Sequence, residues 1–180
     1  MTAPHSLGDF QLLEVSAEGK RYRGYGVGAS DKALSDLLFG EVGGDEIRVV
    51  PETKRRGEDF MGTGYGFILT KRVDSLFRCN DLKGWDSVSV SVKGEPVGSW
   101  FAPKLDRRGI PRDETGLVKD EDGIATAMNG LRFHVAEWDG RDFFRIGDFA
   151  GVVVTPRVID LLVKEETKGW DARSVLSLRF

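Results

Sequence analysis

Two stretches of the chain carry the same order of apolar and polar positions. After Gly66 an apolar run, Phe67-Ile68-Leu69, gives way to a polar segment in which Val73, Leu76 and Phe77 recur at i, i+3 and i+4. After Gly151 the run Val152-Val153-Val154 is followed by Val158, Leu161 and Leu162 at the same spacing. A short apolar run suits a buried strand, and the i, i+3, i+4 spacing puts one apolar stripe on a helix. Thr70 and Thr155 stand where a side-chain oxygen caps a helix start. Pro156 follows at the first helical position, where its missing N–H is harmless. Gly84 and Gly169 can take the left-handed backbone that ends a helical segment. Beyond them Val88, Val90 and Val92 alternate with serines, and Leu176, Leu178 and Phe180 alternate with polar residues, the period of a half-buried strand. Each stretch is therefore expected to be strand–helix–strand.

The likeness extends to identity. Aligned without gaps, 66–90 and 151–175 agree at 11 of 25 positions, against roughly one or two for unrelated segments. The shared residues include Lys-Gly-Trp-Asp, at 83–86 and again at 168–171, which holds two of the four tryptophans. It falls where each helix passes into its second strand, so Gly reads as a helix stop and Trp as a buried core ring. The alternative is a ligand site built from Trp85 and Trp170 together, but the repeat holds no other reactive group. The expected fold is α+β, with mixed or antiparallel sheets, short helices, and an internal strand–helix–strand duplication over 66–92 and 151–180.

The remaining pattern is weaker. Phe10-Gln11-Leu12-Leu13-Glu14-Val15 reads as a strand, followed by a turn at 17–20. Ser30 can cap a helix over 31–39, with Leu34, Leu37 and Leu38 on its apolar face. Residues 46–50 read as a strand stopped by Pro51, and 51–64 as loop. The irregular stretch 94–122 has the length of a functional or mobile loop. Residues 124–128 suggest a helical turn, and Asp139-Gly140 a tight hairpin turn between strands at 131–138 and 141–146. A chain of 180 residues is then one domain over 1–180, with a possible N-terminal subregion at 1–60.

Composition narrows the class. At 40% hydrophobic and 31% charged residues, the chain has the balance of a soluble globular protein, and no apolar stretch is long enough to span a bilayer. The first residues, MTAPHSLGDF, carry no secretory pattern. A single cysteine, Cys79, excludes an intramolecular disulfide and fits a reducing cytosol. On the first expected helix, Cys79 reads as a small buried hydrophobe. A net charge of −3 argues against general nucleic-acid binding through the whole surface.

Candidate chemistry is sparse. The glycines of Arg23, Gly24, Tyr25, Gly26, Val27 and Gly28 lack the spacing of a dinucleotide fingerprint. Arg23 to Gly26 begins like an RNA-binding octamer, but Val27 and Gly28 depart from it. His5, His134 and Cys79 give no zinc-ligand spacing, and Asp120-Glu121-Asp122-Gly123 lacks the remaining ligands of a calcium loop. His134 reads as a sheet histidine, without a nucleophile elbow to serve. No catalytic set, metal or cofactor is expected. Lys54-Arg55-Arg56 is a basic knot. Loop charge of this kind is ordinarily just solvated. A segment carrying both signs beside Trp100-Phe101 equally fits a protein-binding rim around an aromatic anchor. On that second reading Trp100, Phe101, Asp113, Glu114, Asp120, Glu121 and Asp122 are the candidate partner contacts.

One segment carries a resemblance. Asp142, Phe144-Arg145, Val152-Val153-Val154, Thr155, Arg157-Val158 and Gly169 follow the order of an Asp-x-Phe-Arg strand, a branched-aliphatic strand, a Ser or Thr cap, an Arg-hydrophobic helix and a glycine turn. In that order 142–175 resembles the C-terminal segment of bacterial immunity proteins from polymorphic toxin systems. Thr167 stands where Leu is usual there, and the Cys-x-x-Cys-Gly pairs of one related group are absent. The resemblance implies a cytosolic, non-enzymatic protein that binds a cognate toxin domain and neutralises it by occluding its active site. Two alternatives come from other classes. One is a ligand-binding or enzymatic domain with 94–122 as a lid over a pocket containing Trp85 or Trp170. The other is an RNA-binding module using Arg23, Gly24, Tyr25 and Gly26 with Lys54-Arg55-Arg56.

Overall fold

A computed structural model describes residues 5–15, 26–27, 48–50, 58–63, 66–105, 109–149 and 151–179. Its strands in chain order begin with β1 (Gln11–Val15), β2 (Gly26–Val27), β3 (Arg48–Val50), β4 (Phe60–Thr63) and β5 (Gly66–Thr70). Helix α1 (Lys71–Cys79) leads to β6 (Ser87–Val92) and β7 (Trp100–Pro103), and β8 (Leu117–Lys119) and β9 (Ala125–Met128) follow. The last elements are β10 (Phe143–Phe144), β11 (Val152–Val154), α2 (Pro156–Lys164) and β12 (Trp170–Ser174). The class is α+β.

Strands β2-β3-β6-β7-β5-β4 form one sheet, β10-β11-β1-β12 a second, and β8-β9 a separate ribbon. Among the described residues all strand pairings are antiparallel except β3 with β6. In the first sheet β5 and β6 flank β7, and in the second β11 and β12 flank β1. Each helix thus connects two parallel strands across one antiparallel strand. Outside β5 lies β4, with Phe60 opposite Leu69, and outside β11 lies β10, with Phe143 opposite Val154. The order β6-β7-β5-β4 is matched by β12-β1-β11-β10. The middle strand differs in origin: β7 follows β6 directly, whereas β1 comes from the other end of the chain.

Burial explains why the apolar runs are continuous. Phe67, Leu69, Val152, Val154, Phe60, Phe143 and Leu13 meet Val73 and Phe77 of α1 and Val158 and Leu162 of α2 in one cluster. Residues of opposite parity enter two further clusters: Met61, Ile68, Val90, Trp100 and Ala102 in one, and Leu12, Phe144 and Val153 with Phe10, Leu131, Phe133 and Leu178 in the other. A strand buried on both faces has no polar side to show.

Several expectations are corrected. Segment 94–122 is not a loop; it holds β7, a 3-10 turn at Glu114–Gly116 and β8. Residues 124–128 are not a helical turn but largely the strand β9. Asp139-Gly140 closes no hairpin, because 131–138 has other backbone partners: the Leu131 amide donates to the Val175 carbonyl, and the Arg132 carbonyl accepts from the Asp113 amide. After Gly169 the strand is Trp170–Ser174, while Val175–Ser177 forms a 3-10 turn that buries Val175. The helices stop before the glycines. The amides of Asp81 and Leu82 donate to the Arg78 and Phe77 carbonyls, and those of Glu166 and Thr167 to the Val163 and Leu162 carbonyls. This double hydrogen bond is the Schellman C-cap, here with Asp81 and Glu166 at φ 50° in the place usually held by Gly. Cys79 ends α1 and is exposed. The 17–20 turn and the 31–39 helix lie outside the described residues.

Candidate functional site

The repeated tetrapeptide is a joint between the two strand–helix–strand units. Asp59 precedes β4, and Asp142 precedes β10. The Asp59 carboxylate accepts from Thr70 Oγ1 at 3.1 Å, Arg72 Nη2 at 2.6 Å and the Lys168 amide at 3.0 Å. The Asp142 carboxylate accepts from Thr155 Oγ1 at 2.8 Å, Arg157 Nη1 at 3.2 Å and the Lys83 amide at 2.9 Å. In return the Asp59 amide donates to the Lys168 carbonyl and the Asp142 amide to the Lys83 carbonyl. Each unit's aspartate therefore grips the other unit's Lys-Gly-Trp-Asp turn. The arginines also cross over: Arg72 donates to the Glu165 carbonyl and Arg157 to the Asn80 carbonyl, at the open C-terminal ends of α2 and α1.

This changes the role of two residue types. Thr70 and Thr155 sit at the N-caps, but neither side chain caps its helix; both hydroxyls donate to the aspartates instead. Trp85 and Trp170 are half-buried against the shared core rather than enclosed. Their edges are held differently: Trp85 Nε1 donates to buried Asp74 at 3.0 Å, and Trp170 Nε1 to the Thr167 carbonyl at 3.1 Å. Burial alone pushes the Asp59 carboxyl up, but Arg72, the Lys168 amide and Thr70 outweigh it and hold it below its ordinary value.

The expected partner contacts divide into two groups. Trp100 is only 8% exposed within the second cluster, and Phe101 packs half-buried against the first. Both belong to β7 between β5 and β6, so they are core residues and not a rim anchor. Their sequence signal, two adjacent aromatics beside charged residues, is the same for a central strand and an exposed anchor.

The acidic residues do come together, on and below the β8–β9 ribbon. Asp113 accepts from the Thr115 amide at the foot of the ribbon, and this bond holds its carboxyl below the ordinary range. Glu114 pairs with Lys119 at 2.6 Å, which lowers it likewise. In the turn, Asp120 accepts from the Asp122 and Ile124 amides, with Gly123 at φ 77°. Asp120 thus shapes the turn and leaves the Glu121 and Asp122 side chains exposed at its tip. Residues 113–122 hold five carboxylates and one lysine. Val118, at 43% exposure, and Ile124, at 63%, stand on the same ribbon. Sequence reasoning identified the acids but not these two apolar neighbours, because the segment around them read as loop and helical turn.

A surface cleft of about 350 Å³ opens beside the first joint, lined by Gly84, Trp85, Asp86, Lys104, Leu105 and Arg141. His134 is exposed before a 3-10 turn, not on a strand. Among the described residues no group of three or more His, Cys, Asp or Glu is placed to hold a metal ion, and no helix is long and apolar enough to cross a membrane. The RNA candidates Arg23, Gly24, Tyr25 and Lys54-Arg55-Arg56 lie outside the described residues. No protein-family model matches the chain, and no curated protein matches it significantly.

Proposed function

We propose that the chain is a non-enzymatic immunity protein of the cytosol that binds a cognate toxin domain and covers its active site, with the β8–β9 ribbon as the docking element. The observation that supports this reading best is the ribbon itself. It stands outside both larger sheets, its exposed tip carries Glu121, Asp122 and Ile124, and exposed Val118 lies on the strand leading to it. A two-stranded ribbon contributes little to a fold by itself, and its edges, which have no strand partner among the described residues, are a template for pairing with another chain. Acidic groups around small apolar contacts suit a basic cleft, as found in enzymes that handle nucleic acids or nucleotides. The resemblance of 142–175 to immunity proteins points the same way. A protective inhibitor needs a Kd of about 1 nM, or roughly 12 kcal/mol, and an interface near 800 Å² per partner.

The test is co-expression with a candidate toxin domain taken from a reading frame next to the gene for this chain. The toxin alone should arrest growth, the pair should grow and co-purify, and Glu121→Lys with Asp122→Lys should slow association about tenfold at low salt. Continued arrest with no co-purification, against an active toxin, would refute the reading. Unchanged association of the double variant would move the interface off the ribbon.

A further inference from the structure

The cleft beside Trp85 is the other built feature of the surface. The indole is fixed before any ligand arrives: Nε1 is held by Asp74, and Phe77 and Phe143 each pack with ring centroids 4.8 Å away. Lys104 lines the cleft half-buried and has no ion-pair partner among the described residues. Arg141 lines it from the other side, with Nε 2.6 Å from Asp139. Asp86 adds one carboxylate, 3.9 Å from Arg78 Nη2.

The second joint supplies an internal comparison. Ser87 pairs with Pro103 and its counterpart Ala172 pairs with Leu13, so Lys104 corresponds to Glu14. Arg141 precedes Asp142 as Glu58 precedes Asp59. At the two positions that are cationic beside Trp85, the matching joint beside Trp170 carries carboxylates. The joint therefore does not need cations there to hold together, and since Arg141 is paired with Asp139, Lys104 is the charge that calls for another explanation.

We propose that this cleft binds a small aromatic anion, with its ring against Trp85 and its phosphate or carboxylate between Lys104 and Arg141. An indole lining a cleft beside cations is the chemistry that receives a nucleobase and its phosphate, and the volume is at the lower end for small-molecule sites. A nucleoside monophosphate is the fitting class. This inference is independent of the toxin reading. Calorimetric titration of the full chain with adenosine monophosphate, adenosine and inorganic phosphate at low salt tests it. Adenosine monophosphate should bind saturably with a Kd of about 1 mM or tighter, and the two fragments at least about tenfold more weakly. Lys104→Glu, which installs the charge of the matching joint, should abolish this binding without lowering the melting temperature; Lys104→Gln serves if that variant folds poorly. Glu121→Lys on the ribbon should bind as the parent does. Absence of saturable heat, equal affinity for phosphate alone, or undiminished binding by the folded Lys104 variant would overturn the proposal.

Discussion

At Gly84 and Gly169 a side chain is excluded twice over. Both have left-handed backbone, with φ of 81° and 88°. A Cβ on Gly84 would lie 2.3 Å from the Phe143 carbonyl oxygen, and one on Gly169 would lie 3.0 Å from that of Phe60. The neighbour is backbone in both cases, so relief requires moving the opposite unit. Gly84→Ala should cost about 2–4 kcal/mol in urea denaturation, and Gly169→Ala less, since left-handed strain is shared but the collision is softer. Equal costs would show that the close approach does not matter. Asp59 gives a pH signature. Its carboxyl is held low in the folded state, so its contribution is complete above the unfolded value of about 3.9 and is lost as pH falls through the lower folded value. Asp59→Asn should cost about 1–3 kcal/mol at pH 7, discounted because Arg72 is half exposed. The gap between parent and variant should close in strong acid; a gap unchanged from pH 7 to pH 2 would exclude the carboxylate as its source. The gapless comparison aligns the clamp's threonines, arginines and lysines but not its aspartates. Asp59 lies 11 residues before Thr70, but Asp142 lies 13 before Thr155, and that two-residue offset hides an Asp-Phe pair common to both units.

Elements were legible where pattern and burial agree. The runs before Thr70 and Thr155 and the i, i+3, i+4 stripes mark β5, α1, β11 and α2 because their apolar positions face the shared cluster. β7 escaped because Trp100-Phe101-Ala102-Pro103 is short and apolar on both faces, so period two is absent. The Asp139-Gly140 signal misled because a turn dipeptide specifies local bending and not the partner of the strands beside it. The elements also differ in what they support. Leu13 on β1 is buried in the cluster joining the units, while the ribbon buries little beyond Met128. Leu13→Ala should cost about 2–4 kcal/mol. Replacing 118–127 with a tight turn should lower the melting temperature by less than about 5 °C while weakening capture of the toxin. A cooperative transition lost with the ribbon would make it a structural element and remove it as the docking site.

At the scale of the molecule, the two units differ in one connection. Unit one is continuous through β4, β5, α1, β6 and β7, whereas unit two runs through β10, β11, α2 and β12 and takes β1 as its middle strand. Nonlocal pairing of this kind carries a loop-closure cost that adjacent strands avoid. The two strands nearest the ends already lie together: β1 pairs with β12 along its length, and the Val175 amide donates to the Phe10 carbonyl. A circular permutant tests whether the sheet order or the chain order determines the fold. Joining residue 180 to residue 1 through a short Gly-Ser linker and opening the chain at Gly123, the exposed left-handed residue of the ribbon turn, makes both units continuous. Its far-ultraviolet circular dichroism should match the parent, and it should refold faster in stopped-flow dilution from urea, because β1 now closes a local loop. A permutant that fails to fold would show that β1 must be placed before the second unit forms. One that folds at the parent rate would put the β1 pairing after the rate-limiting step.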